Sequence, residues 1–334
     1  MANTKFSDVT VTLKGSVPSI SIGLGIPAVL VKTNVDAPKS KMTKFYDIQA
    51  VSDAYGPDTD MTKVARAVFS QDARPEHIDV IEYTDITNDI NTFWNEDFTF
   101  ALLATPNAAD NATLALAIEQ LAYKFAVVQV EKAADLAAFK NMQWTIGTVL
   151  PFANGRLDAA IVGGVASRTV GSVNWKFKAL NGIKAWDDIM TTEKGAIDEA
   201  FGITYLTRGN MASTTGGHVM NGLYIDDLHG RIWIDSNIQS SLMNVLNQND
   251  KVPYNAVGIG LLLGELSAVL ETAFQQGIIE TGVDTKGSYS VAGSTREQQT
   301  ASDINSRKYS GLTFTYTPSS SIDHADVNGT VLLP

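Results

Sequence analysis

Gly23-Leu24-Gly25-Ile26-Pro27-Ala28 has the G-x-G-x-x-A spacing with which a dinucleotide's phosphates approach the backbone. That chemistry needs a strand before the glycines, a helix directly after them and an acidic residue about 20 positions on. Here an apolar run follows, with Pro27 inside the motif, so the segment reads as a turn leading into a strand. Neither a Walker A sequence nor a G-x-S-x-G nucleophile elbow occurs. The four histidines are His77, His218, His229 and His324; no second His or carboxylate stands at ligand spacing, except Asp226 and Asp227 just before His229. A hydrogen-bonded structural histidine is the simpler reading of each. Asp187-Asp188 and Asp226-Asp227 stand near the starts of expected helices, where carboxylates satisfy open amides and favour the dipole. Asn111-Ala112-Thr113 and Asn328-Gly329-Thr330 match the glycosylation sequon, which matters only in a secreted chain. With no cysteine, disulfides, thiolate metal sites and a Cys nucleophile are excluded. These residues define no catalytic, cofactor or metal site, and an enzyme is not expected.

At 334 residues, 44% of them apolar and 18% charged, the chain can bury the core of one large domain or two ordinary ones. Its net charge of −11 makes nucleic acid and anionic membranes poor partners. The charge is uneven: residues 1–44 hold six Lys against two Asp, a net +4, which leaves −15 on the remainder. Such a basic leading segment can dock on a neighbouring acidic body or remain solvated. The N-terminal residues lack the apolar core of a secretion signal. The most apolar stretch, residues 257–270, contains Glu265 and is shorter than the ~20 residues that span a bilayer, so no membrane insertion is expected.

Strands and helices alternate through the first half. Residues 27–31, 78–83, 98–104, 125–130 and 144–150 read as strands, and residues 59–69, 85–95, 107–123, 133–141 and 156–166 as helices. Residues 33–44 read as a loop. This succession predicts a mixed α/β (α+β) fold whose layered α/β body holds a largely parallel sheet. Polar and glycine-rich residues 208–222 interrupt it. Two long helices follow, at about 227–247, with Ile234, Ile238, Leu242 and Val245 on one face, and at about 256–276. The second carries Ile259, Leu262, Leu263, Leu266, Leu270 and Ala273 on one stripe, with Glu265, Thr272 and Gln275 opposite. Pro253 separates the two and Gly277 stops the second. The ends of the chain read as strands with no local hairpin partner: residues 8–13 and 312–317 alternate polar and apolar, and 328–333 are extended. Exposed strand edges recruit other chains, so these ends predict assembly.

From Gly216 onward the order of features resembles the tail sheath proteins of contractile bacteriophages and phage-like particles. The resemblance rests on Gly222-Leu223-Tyr224-Ile225-Asp226, the helix bearing Ile234 to Leu246, and Lys251-Val252-Pro253-Tyr254-Asn255 leading into Gly258-Ile259. Gly277-Ile278-Ile279, Tyr289-Ser290-Val291 and Asp303-Ile304-Asn305-Ser306-Arg307 continue it before the closing strands. The Lys-apolar-Pro-Tyr element is the most specific part, although Asn255 and Ala256 follow it where the family usually has an aspartate. The resemblance implies a contractile tail sheath subunit that polymerises around an inner tail tube and contracts from a metastable extended state, driving the tube through the host envelope without a cofactor. It implies an N-terminal donated arm over 1–16, an α/β body over 17–208, a sheath core with two long helices over 209–306 and C-terminal donated strands over 307–334. In the family such arms add strands to a sheet in neighbouring subunits. The residues implied in donated strands are Val9, Val11, Leu13, Leu312, Phe314, Tyr316, Val327 and Val331; Glu265 and Glu271 are implied as contacts to basic residues of the tube. The implied partners are identical sheath subunits in a helical homo-polymer, the inner tail tube protein, and baseplate and tail terminator proteins. The implied location is the virion tail, assembled in the host bacterial cytoplasm.

Two other readings stay open. One is a different virion assembly protein, a baseplate or capsid subunit. The other is an α/β enzyme whose convergent polar groups at strand C-termini the sequence does not reveal.

Overall fold

The computed structural model describes residues 24–33 and 41–326. Among them six strands share one sheet: β1 (Pro27–Lys32), β2 (Lys41–Phe45), β3 (Ile78–Tyr83), β4 (Phe100–Leu103), β5 (Phe125–Val130) and β6 (Thr145–Val149), in the order β2-β3-β1-β4-β5-β6. All run parallel except β2, which pairs antiparallel with β3 at the edge. The parallel strands are covered on both faces, which is why they read as continuous apolar runs. Within the expected loop over 33–44, β2 is a correction. Lys41 and Lys44 stay exposed while Met42 and Phe45 are half-buried, a pattern suited to a charged edge strand.

Helices α1 (Ile48–Tyr55), α2 (Asp60–Phe69), α3 (Ile86–Thr92) and α4 (Ala108–Leu121) cover the sheet. Each begins on a side chain that accepts a backbone N–H bond: Asp47, Thr59, Asp85 and Asn107. The helix expected over 133–141 is a 3-10 turn, Ala133–Phe139. Helix α5 (Leu157–Ile161) runs on as a π turn, Val162–Ala166. There a Cβ on Gly163 would lie 2.5 Å from the Val68 carbonyl oxygen, so α2 and α5 meet backbone to backbone. Helix α6 (Thr191–Glu199) and the hairpin β7 (Tyr205–Arg208) and β8 (Met211–Thr214) follow, the hairpin falling where the sequence shows only a polar interruption.

Numbered in chain order, the parallel strands take the spatial order 2-1-3-4-5, the doubly wound arrangement whose ligand crevice lies where the order reverses, between the C-terminal ends of β1 and β4. The protein's own side chains fill that crevice. Arg156 donates to the carbonyls of Leu103 (2.6 Å) and Ala104 (2.5 Å) and forms a bidentate pair with Asp158, which is 1% exposed. Alongside, Asp110 accepts from Lys32 Nζ and the Tyr83 hydroxyl, both at 3.1 Å.

The remaining elements form a second core: α7 (Ile225–Gln248), α8 (Ala256–Gln275), β9 (Tyr289–Gly293), the short α9 (Ala301–Asn305) and β10 (Leu312–Tyr316). Helix α7 serves both cores. Ile225, Leu228 and Ile232 pack with the sheet, whereas Ile234, Ile238 and Leu242 pack with Leu266, Val269, Leu270 and Ala273 of α8.

Replacing Arg156 by Met leaves Asp158 buried without its counter-charge and is expected to destabilise the fold by about 3–5 kcal/mol, read from urea unfolding.

Candidate assembly interface

β10 pairs antiparallel with β9 of the same chain, from Leu312 opposite Gly293 to Tyr316 opposite Tyr289. Residues 312–317, which lack a local hairpin partner, pair at long range within the chain, across the segment around α9. One face of this two-stranded sheet carries Tyr289, Val291, Leu312, Phe314 and Tyr316 onto the second core, while Ser290, Ala292, Thr313 and Thr315 face water. Bonds at either end fix the ladder's phase: Thr317 N–H donates to Ser288 O and Ser294 N–H to Gly311 O. In an antiparallel pair, hydrogen-bonded and non-bonded positions alternate, so Leu312, Phe314 and Tyr316 turn their backbone N–H and C=O away from β9. Among the described residues those groups have no backbone partner, and they form an edge that a further strand can join. The expected strand residues Val9, Val11, Leu13, Val327 and Val331 lie outside the described residues.

The Lys-Val-Pro-Tyr element shapes the start of α8. Asn255 is the cap, its side chain accepting from Val257 N–H and Gly258 N–H, so an uncharged amide serves where the family usually has an aspartate. A Cβ on Gly258 would lie 1.9 Å from the Pro253 carbonyl oxygen. The Tyr254 hydroxyl donates to Lys308 O (2.9 Å), and Arg296 donates to Tyr254 O (2.7 Å), which ties the polar linker to this corner. At the other end Gly277, at φ +84°, completes a Schellman motif: its N–H bonds Phe274 O, and Ile278 N–H bonds Ala273 O. Helix α8 spans 20 residues, close to the expected 256–276; although residues 257–270 alone are too short to span a bilayer, the whole helix is long and apolar enough to cross a membrane by length and composition, with a third of its most apolar stretch buried. Val257 and Leu261 are exposed, and a Cβ on Gly260 or Gly264 would meet nothing. Glu265 is half-buried, and Glu271 accepts from the Tyr289 hydroxyl (2.9 Å), so Glu271 also holds β9 on α8.

Three carboxylates sit where α7 crosses between the cores. Burial pushes Asp226 and Asp235 up to about 6, the neighbouring Asp227 adding to the first and Arg231 opposing the second. Burial also raises Asp227. Tyr316 of β10 lies beside this group, its hydroxyl raised by burial and held down by Arg231. Asp226 and Asp227 lie in the first turn of α7, as expected, whereas Asp187 caps nothing and instead accepts from the N–H and hydroxyl of Thr207 in β7.

The histidines are dispersed. His229 is buried between Phe100 and Phe125, donates to Leu24 O (2.6 Å) and is held neutral by burial, which lowers it to about 4. His77 packs beside buried Asp79, His218 stacks on Tyr224 and His324 pairs with Asp326. Among the described residues no three metal-ligating side chains converge. Gly25 of the glycine motif sits in a turn where a Cβ would lie 2.6 Å from Ala166 O, and β1 follows directly. A depression of about 460 Å³ beside the filled crevice is lined by Asp60, Lys63, Arg66, Thr105, Phe152 and Arg156, with Lys63 paired to Asp60. Asn111 of the first sequon is buried and donates to Gln129 O.

The described residues thus combine a two-stranded sheet carried on long helices with a doubly wound body. Residues 225–331 match the family model described as E217 tail sheath protein gp31-like, C-terminal domain. No curated protein matches the chain in sequence. The whole fold is similar to a chain of the anti-feeding prophage (AFP) baseplate, with a TM-score of 0.73 and 13% identity over 99% of this chain and 100% of that one. It is similar to a chain of the PVC sheath complex of an extracellular contractile injection system in the contracted state, with a TM-score of 0.72 and 13% identity over 98% of each. The sheath tail protein Lin1278 from Listeria innocua gives 0.58 and 10% identity over 88% of this chain and 94% of that one. The fold is thus that of contractile sheath proteins from end to end.

The raised carboxylates give stability a definite pH dependence. Near pH 4 to 6 the folded chain holds protons on Asp226 and Asp235 that the unfolded chain, with ordinary values near 3.8, has lost. Their contribution to stability is therefore greatest below about pH 4, falls as pH rises to about 6 and stays low above it. Asp226→Asn is expected to raise stability by about 2 kcal/mol at pH 7.5 and to leave it unchanged below pH 4, measured by denaturant unfolding across pH.

Proposed function

We propose that the chain is a structural subunit of a contractile sheath, polymerising with identical copies around an inner tube and contracting from a metastable extended state. The observation that carries this is the open β10 edge lying within the segment that matches a tail sheath C-terminal domain. Work would come from the free-energy difference between two packings of the same subunits, with no cofactor. In this reading the β9–β10 sheet is the acceptor. The donated strands are residues 6–14, with Val9, Val11 and Leu13, from one neighbour and residues 327–333, with Val327 and Val331, from another. Leu312, Phe314 and Tyr316 then offer their edge instead of leaving the body. Backbone pairing holds while flanking linkers bend, which suits a lattice whose bodies re-pack.

Helix α8 is the proposed contact to the inner tube, through its exposed side around Val257, Gly260, Leu261 and Gly264, with Glu265 at the margin. Its apolar length then serves a protein partner, and no membrane insertion or nucleic-acid contact is proposed. Baseplate and tail terminator proteins are the proposed partners at the two ends, and the tail of a virion or phage-like particle, assembled in the bacterial cytoplasm, is the proposed location. The similarity to an AFP baseplate chain favours a second reading, a baseplate subunit.

Negative-stain microscopy of the purified chain separates the two, since a sheath subunit gives hollow tubes and a baseplate subunit closed rings. Deleting residues 1–16, or 327–334 with β10 left intact, is expected to leave a folded monomer by circular dichroism that makes no tubes; tubes at wild-type yield from either deletion would overturn the arm assignment. Glu265→Lys is expected to weaken co-assembly with the tube protein at least tenfold in a sedimentation assay.

A further inference from the structure

Three exposed aromatic side chains occupy backbone positions that local rules give to other residues. Phe177 has φ +62° and Phe201 φ +60°, a left-handed region that bulky residues rarely enter and that Gly or Asn tolerates. Phe201 directly follows Ala200, the cap of α6, at the position where helices commonly place glycine. Tyr224 is the N-cap of α7 and makes no capping bond, at a site that favours Ser, Asp or Asn. Phe177 is 50% exposed, Phe201 and Tyr224 are 40% exposed, and Leu223 beside them is 46% exposed.

His218 links two of these rings, and Lys176, whose charge acts on His218, links them to the third. The His218 ring lies 4.3 Å from that of Tyr224 and 5.8 Å from that of Phe201. Lys176 Nζ lies 5.0 Å from the Phe177 ring and donates to Asp323 O at 2.9 Å, while Arg208 also sits over Phe177 at 5.1 Å. A local backbone penalty kept at three positions whose rings stay 40–50% exposed fits a binding surface.

Charge identifies the occupant. Lys176 and Arg208 lie over the Phe177 ring, with Lys178 next in the chain, whereas Asp226 and Asp323 lie near Lys178 and Asp198 and Glu199 precede Phe201. The chain's net charge is −11, so a second copy carries an excess of the sign that complements the Phe177 end. The segment after β10 also crosses here: Asp323 is held by Lys176 and by Asn174 (3.4 Å), and Ile322 is 84% exposed, so an arm passing to a neighbour leaves beside these rings. We propose that Phe177, Phe201, Leu223 and Tyr224 form a docking surface for an acidic face of a second copy of this chain, a contact separate from strand addition. The inference rests on the self-assembling reading given above.

The test uses the full chain with Phe177→Asn, Tyr224→Ser and both together. Each replacement restores the residue type its backbone favours, so the thermal midpoint should hold or rise by about 1–3 °C. The concentration threshold for self-association, measured by sedimentation velocity, should rise at least tenfold in the double variant, and the wild-type threshold should rise in about 0.5 M salt. Wild-type tubes with an unchanged threshold in the double variant would overturn the docking surface and leave the sheath reading standing. Closed non-tubular oligomers that the double variant loses would support the surface and overturn the sheath reading. A wild type that remains monomeric overturns both. A fall in thermal midpoint in both single variants would assign the rings to folding and overturn the docking surface.

Discussion

The continuity of α7 is the constraint on which the rest of the molecule depends. Its 24 residues span about 36 Å, long enough to begin in the sheet core with Ile225 and end in the second core past Leu242. Gly230 is tolerated inside it, at a local cost of about 1 kcal/mol, because a Cβ there would lie 2.7 Å from Ile278. The residue that follows the α8 stop can therefore close directly onto α7. The body and the strand-bearing unit are two cores on one rod, and a change in the orientation of one is carried to the other without a hinge inside the helix.

The strand-bearing unit shows how a small sheet is kept open yet stable. A two-stranded sheet is marginal alone. Here the Tyr289 hydroxyl on Glu271 and the apolar row of Phe314 and Tyr316 fasten it to the helices. The doubly wound body has taken the opposite course, since Arg156, Asp158, Lys32 and Asp110 occupy the place where such folds ordinarily admit a ligand. One half fills its crevice with its own side chains, and the other keeps a strand edge available.

Much of this was legible in the sequence for physical reasons that also explain the omissions. Strands buried on both faces announce themselves as apolar runs, and α2, α4, α7 and α8 carry the 3.6-residue period over enough turns to be seen. Segments with one or two buried side chains do not: α6 buries only Ile197, and β2 is half lysine or threonine. The partner of β10 was hidden because β9, Tyr-Ser-Val-Ala-Gly, is short and rich in small residues, and pairing between distant segments leaves no local period. The role of Glu271 within the chain was hidden for the same reason, since the tyrosine that it holds lies in another element. The aromatics at 177, 201 and 224 were invisible as a group, because their backbone conformations and the histidine beside Phe201 and Tyr224 belong to the fold and not to spacing.

The way the chain leaves β10 has a mechanical consequence. Beyond Tyr316 it stays bonded to the segment that follows α8: Glu280 N–H donates to Thr317 O and Ser319 N–H to Ile278 O. Further on, Lys176 holds Asp323 O. A pull on the tail therefore meets these bonds one after another before it reaches the pair of Tyr316 with Tyr289. The ladder is guarded by a series of contacts that give way first.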